Sequence, residues 1–295
     1  MTSIGVSTWV WTSPLDVDRL RELAPRIAAW GFDLVELPVE VIGGWDPSVT
    51  ASLLAGLGLG ATVCAVMSGG RDLTTDDRSV TASTQAYLRD CIDAAAMVGA
   101  PVVAGPIYAP VGRVWRQNDA ERAATVARLV EALRPVVDHA GASGVRLALE
   151  PLNRYETSLV NTIDQAMDVV EAVDSSALGV CLDTFHLNIE ERDPAASTRR
   201  VGDRIAHVQA CGTDRGAPGQ DQFDWAGFAA ALGACEYAGA VCVESFTSEN
   251  DAIARAASIW RPLAVSQDQL AIDGIAFLRR TFAGPALPEV RQANA

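Results

Sequence analysis

A chain of 295 residues, 49% hydrophobic and 20% charged, can bury a full core and suits one large α/β domain or two small ones. Its formal net charge of −14 argues against DNA or RNA as a partner, because phosphate binding needs clustered Lys and Arg. Six cysteines without a C-x-x-C pair, and an apolar run (Leu53–Met67) too short and glycine-rich to span a bilayer, exclude a disulfide framework and a membrane anchor.

Short apolar runs alternate with longer amphipathic segments from end to end. Ile4–Thr8 reads as a first strand. Asp18–Trp30 reads as a helix, with Leu20, Leu23, Ile27 and Trp30 at helical spacing and Gly31 as its stop. Asp33–Leu37 is the second strand, Pro47–Leu57 a short helix closed by Gly58, and Gly60–Val66 the third strand. The Gly-, Asp- and Thr-rich stretch Ser68–Arg78 is a loop, followed by a helix over Thr81–Val98. Pro101–Ala104 is a fourth strand, and a longer loop through Trp115 leads to a helix over Asp119–Ala142. The second half supplies strand Val145–Glu150, helix Asn161–Val173, strand Gly179–Asp183 and a helical segment near Pro194–Val201. Strand Ile205–Ala210, a Gly/Pro loop over Cys211–Asp224, a helix over Trp225–Tyr237 and strand Ala240–Glu244 come next. Helices over Asp251–Trp260 and Gln267–Thr281 finish the pattern, and residues 285–295 are expected to be a poorly ordered tail.

Eight strand–helix units without a linker predict one (β/α)₈ TIM barrel over residues 1–284. The strands are near-continuous apolar runs, as a parallel sheet covered on both faces requires. An open doubly wound sheet would want G-x-G-x-x-G after its first strand, where this chain reads S-T-W-V-W-T-S.

In such a barrel the C-terminal strand ends converge on one mouth. Strands five to eight would bring Glu150, Asp183, His207 and Glu244 there. Any one of them alone is an ordinary solvated strand end. Three carboxylates packed together repel unless a cation or a raised pKa relieves them. The oxygen-dominated set suits Mn²⁺, Mg²⁺ or Co²⁺ better than a structural zinc. His186, just after the sixth strand, could donate to a substrate oxygen, whereas His139 on a helix is the better candidate for a histidine without a role. Arg215 could reach a substrate hydroxyl or phosphate, or form a surface salt bridge. Glu156 could orient a ligand or pair with Arg154, and Glu190 and Glu191 read as a solvated helix start. Trp9, Trp11, Met67, Tyr108 and Trp115 could wall the mouth or belong to the core.

The segments L-E-P-L-N-R-Y-E-T, C-L-D-T-F-H-L-N-I-E-E, H-V-Q-A-C-G-T-D-R-G-A-P-G and V-E-S-F resemble the ketose 3-epimerases. These are the D-tagatose, D-allulose (psicose) and L-ribulose 3-epimerases of the xylose-isomerase-like TIM barrel superfamily. Similarity extends to G-F-D-L-V-E-L-P near the start and S-I-W-R near the end, so it covers essentially the whole chain. The resemblance implies that Glu150, Asp183, His207 and Glu244 hold one divalent metal, Mn²⁺ first among Mn²⁺, Co²⁺ and Mg²⁺. It implies that Glu150 and Glu244 double as the acid/base pair, and that Glu156, His186 and Arg215 hold the sugar. It also implies a homodimer or homotetramer. The chain departs from the pattern after Arg215, where P-G-Q-D puts Asp221 in place of a second glycine, and in the strand-seven run Q-A-C-G-T.

The expected activity is epimerisation at C3 of a free ketohexose or ketopentose through an enediolate. Rivals on the same barrel are a 3-keto-glycoside β-eliminase, a sugar aldose–ketose isomerase and a non-catalytic metal-dependent sugar-binding protein. A multi-metal phosphodiesterase would need more than the three histidines present. The N-terminus lacks a basic stretch followed by an apolar one, so a cytoplasmic protein is expected.

Overall fold

The computed structural model describes residues 2–283, so the tail expected at 285–295 lies outside the described residues. Eight strands close into one parallel barrel in chain order. They are β1 (Ile4–Ser7), β2 (Leu34–Val39), β3 (Gly60–Ala65), β4 (Val102–Gly105), β5 (Arg146–Leu149), β6 (Leu178–Asp183), β7 (Ile205–Ala210) and β8 (Val241–Val243). β8 pairs back onto β1, Ile4 opposite Val241, so no stave is left with an open edge.

The helices pack around this ring. In order they are α1 (Val17–Ala29), α2 (Pro47–Gly56), α3 (Arg78–Val98), α4 (Asp119–Ala142), α5 (Ile163–Val173), α6 (Thr184–Glu190), α7 (Pro194–Val201), α8 (Trp225–Ala234), α9 (Asp251–Ala256) and α10 (Gln267–Phe282). Polar caps set their starts. Asp16, Asp46 and Asp77 each accept from N–H groups of the first turn, and Asn118 with Glu121, and Thr162 with Gln165, form capping boxes. Such a cap is worth about 1 kcal/mol. On α1, Leu20, Leu23, Ala24 and Ile27 form the apolar stripe that seals the helix onto the barrel.

The main core lies between strands and helices, where Val35, Leu37, Val63 and Leu147 meet Leu88, Ile92 and Leu133. Side chains alternate along a strand, and the alternate residues inside the ring are small or polar: Thr62, Ala148, Cys181 and Cys242 are all buried. Crowding there dictates glycine at one stave end. Gly105 has φ +131°, and a Cβ on it would come within 2.5 Å of the Ala65 carbonyl oxygen. All six cysteines are free. No helix among the described residues is long and apolar enough to cross a membrane.

Helix α6 corrects the expectation that Glu190 and Glu191 form a solvated helix start. Asp183 Oδ1 accepts from the Phe185 N–H at 2.9 Å and nucleates a helix directly on the end of β6. Glu190 then closes that helix with a largely buried side chain paired to Arg154, and Glu191 accepts from the Ile163 N–H at the start of α5.

Candidate active site

The acids at the ends of β5, β6 and β8 are buried within the mouth: Glu150 is 4%, Asp183 1% and Glu244 3% exposed. Backbone bonds hold two of them in line with neighbouring staves, Glu150 N–H to the Gly105 carbonyl and Glu244 N–H to the Ala210 carbonyl. The Arg215 guanidinium sits among them. Its Nη1 donates to Asp183 Oδ2 at 2.7 Å and to Glu244 Oε2 at 2.8 Å. Phe185 and Phe246 flank it, with ring centroids 4.1 and 5.1 Å away. Arg215 adopts φ +69°, an uncommon conformation for a residue with a Cβ, and Ser245 Oγ fixes it by donating to its carbonyl.

This geometry explains the electrostatics. Burial pushes the Glu150 carboxyl well above the ordinary range, and the Asp183 charge adds to it. Glu244 is raised by burial too, against the opposing pull of Arg215. Burial alone would depress Arg215, but Asp183 and Glu244 keep it charged. Burial lowers the His186 pKa, against the opposing pull of Asp183. Its Nδ1 accepts from the Asn153 backbone N–H at 3.0 Å, and Arg215 Nη2 lies 3.1 Å from its Nε2. That Nε2 lies 3.4 Å from both Glu150 Oε1 and Asp183 Oδ2. Glu156 does not pair with Arg154. It accepts from Asn153 Nδ2 at 2.7 Å and thereby braces the residue that orients His186.

His207 stands elsewhere. The register pairs Gln209 with Asp183 and His207 with Cys181, so His207 lies two residues further from the mouth. Its Nε2 is 2.6 Å from Glu36 Oε2 on β2, and its Nδ1 has no partner. The residue that β7 presents at the level of the acids is Gln209, whose Nε2 donates to Glu244 Oε1 at 2.8 Å and Glu36 Oε1 at 3.0 Å. A register shift between Val180 and Cys181 accompanies this displacement. Glu36 and Gln209 were therefore missed from sequence. The available signal was a carboxylate inside an otherwise apolar strand, D-L-V-E-L.

Other candidates resolve by packing. Trp9 is buried against Phe246, with ring centroids 5.5 Å apart. Trp11 donates to Asp268 and stacks on Trp30, away from the acids. Tyr108 is core, its hydroxyl donating to the Val160 carbonyl. Asp221 accepts from the Phe223 N–H and Trp225 Nε1, so it shapes the loop before α8 and touches no mouth residue.

The donor chemistry fits a hard divalent cation. Donor atoms of Glu150, Asp183 and His186 lie within 4.8 Å of one another, and so do those of Glu36, His207 and Cys242 deeper in the barrel. The mouth is the better host for a hard cation, because its group holds two carboxylates whereas the deeper one holds a single carboxylate with an imidazole and a thiol. Within it the carboxylate oxygens are the fitting ligands for a hard cation.

Comparison with known proteins agrees with this architecture. The family described as xylose isomerase-like TIM barrel matches residues 24–281. A protein of Synechocystis sp. named "Probable ketose 3-epimerase" is 34% identical over 94% of this chain and 96% of its own. A solved L-ribulose 3-epimerase superposes with a TM-score of 0.89 at 30% identity, covering 96% of this chain and 95% of that one. A D-allulose 3-epimerase from Methylomonas sp., solved in complex with D-allulose, gives a TM-score of 0.87 at 29% identity over 95% and 97%. With the barrel closed and its acids gathered at the ends of β5, β6 and β8, the chain belongs to the ketose 3-epimerase family of xylose isomerase-like TIM barrels.

Proposed function

We propose that this protein inverts C3 of a free ketohexose or ketopentose, with Glu150 and Glu244 as the acid/base pair. The observation that carries the reading is the placement of two buried glutamates with raised carboxyl pKa on β5 and β8, three staves apart in a ring of eight. They face one mouth from different sides, as inversion of a planar intermediate needs.

One glutamate takes the C3 proton, and the other returns a proton to the opposite face. Each positioned acid/base contributes roughly 10²–10⁴-fold. Burial raises both carboxyl pKa values, which strengthens each as a proton acceptor. His186 contacts one sugar oxygen, and Arg215, 3.1 Å from its Nε2, donates to another while it balances Asp183. Glu156 accepts from a sugar hydroxyl and steadies His186 through Asn153. A divalent cation held by Glu150, Asp183 and Glu244, which we assign as Mn²⁺ ahead of Co²⁺ or Mg²⁺, supplies Lewis-acid stabilisation of negative charge next to the ketone.

NMR of a ketose panel in D₂O with Mn²⁺ tests the proposal. Deuterium at C3 with carbon skeleton and hydroxyls retained is the expected result. Loss of a substituent would assign a β-eliminase, and conversion to an aldose an isomerase.

A further inference from the structure

Where the neighbouring staves offer acids, β7 offers an amide. Gln209 is wholly buried and every polar atom of its side chain is engaged. Both Nε2 hydrogens are used, one on Glu244 Oε1 and one on Glu36 Oε1, and the amide oxygen accepts from the Cys181 thiol at 3.2 Å. Glu36 is itself tied down, with Oε2 against His207 and within 3.4 Å of the Thr62 hydroxyl. Turning the amide over would set its oxygen against two carboxylate oxygens. The arrangement is thus a chain, His207–Glu36–Gln209–Glu244, that ends on one oxygen of a mouth glutamate while its other oxygen, Oε2, faces Arg215.

We infer that Gln209 is a positioning residue: it fastens Glu244 Oε1 to the Glu36–His207 pair and so reserves Oε2 for the reacting sugar. The inference rests on the reading of Glu244 as an acid/base. A carboxyl group's last torsion is broad and nearly two-fold, so a free Glu244 would present either oxygen at varying angles. Anchoring one oxygen fixes the direction of the other, and proton transfer is sensitive to that direction. Strand seven therefore contributes a donor that aims a base, and no ligand of its own.

The test uses the full-length protein with Mn²⁺ and D-allulose, and compares Gln209→Met, Glu36→Gln and the double variant. Gln209→Met keeps shape and removes the donor. It should lower kcat about a hundredfold, with KM changed less than about threefold and Mn²⁺ affinity by calorimetry changed less than about tenfold. The isotope effect from deuterium at C3 should rise in one direction of the reversible reaction, the one in which Glu244 takes the proton. Glu36→Gln should cost about tenfold in kcat. Because Glu36 acts through Gln209, the double variant should be no slower than Gln209→Met. An unchanged kcat overturns the inference, as do multiplicative losses in the double variant. A loss of Mn²⁺ affinity beyond about a hundredfold makes Gln209 a ligand and overturns it equally. If Gln209→Met does not fold, Glu36→Gln carries the same test through kcat and the isotope effect. The underlying reading fails separately, and takes the inference with it, if the unaltered protein exchanges no C3 proton or Glu244→Gln retains turnover.

Discussion

The two halves of the barrel mouth are built from opposite materials. Staves β5, β6 and β8 end in Glu150, Asp183 and Glu244, and the loop after β7 drops Arg215 among them. On the other side, Trp9 after β1 and Cys64 and Val66 at the end of β3 join Phe246, Ile253 and Ile259 in an apolar cluster. The first half can move protons, and the second can cover a carbon skeleton and keep water off the acids. The halves meet at the mouth where Phe246 flanks Arg215, and again below it where Glu36 reaches across to His207 and Gln209. The difference teaches that charge in this ring is placed by stave, and that each half can be broken separately.

The sharpest break is chemical. Glu150→Gln or Glu244→Gln should lower kcat by about 10²–10⁴-fold, with circular dichroism unchanged, and C3 exchange in D₂O reports it directly. Next is Arg215→Met in the chelated protein. It leaves Asp183 and Glu244 buried without their shared cation, a loss of about 3–5 kcal/mol, and Mn²⁺ should restore much of it in thermal melts. On the scaffold, Leu88→Ala on α3 removes a fully buried side chain. About 2–5 kcal/mol of stability should go in urea titration, while kcat of the folded fraction stays the same.

A milder effect separates the halves by pH. Glu150 and Glu244 have folded pKa values above their unfolded ones, so protons bind the folded chain more tightly. The stability they contribute is complete below the unfolded carboxyl range and is lost as pH rises through the raised values. Chelated protein should therefore melt lower as pH climbs, and Mn²⁺ should flatten that slope. The smallest effect belongs to His139, whose Nε2 meets Asp93 at the surface of α4. His139→Gln should change stability by less than about 0.5 kcal/mol and leave kcat unaltered.

The barrel was legible in the sequence because strand and helix periods alternate eight times and each unit ends in turn or cap chemistry. The positions of Glu150, Asp183 and Glu244 were legible because a charge closing an apolar run marks a stave end. His207 misled for the same reason in reverse. It lies inside its run, not at the end, and composition does not reveal which inward residue of β7 levels with the mouth once a register shift intervenes. Glu36 was hidden because a strand is judged by its apolar majority, and its partners come from β7, 171 and 173 residues away. Helix α6 was hidden because its start is capped by the stave's own terminal residue, so no separate turn announces it. The substitution of Asp221 in P-G-Q-D, conspicuous as a pattern change, proved local: its carboxylate replaces glycine's turn freedom with bonds to Phe223 and Trp225.

The guanidinium lodged between Asp183 and Glu244 has a consequence for the life of the protein. It is a resident counter-ion, so stripping the mouth of a soluble ion does not leave naked like charges to spring the staves apart. Chelated protein should accordingly keep its circular dichroism spectrum and need no refolding step before an ion is added back.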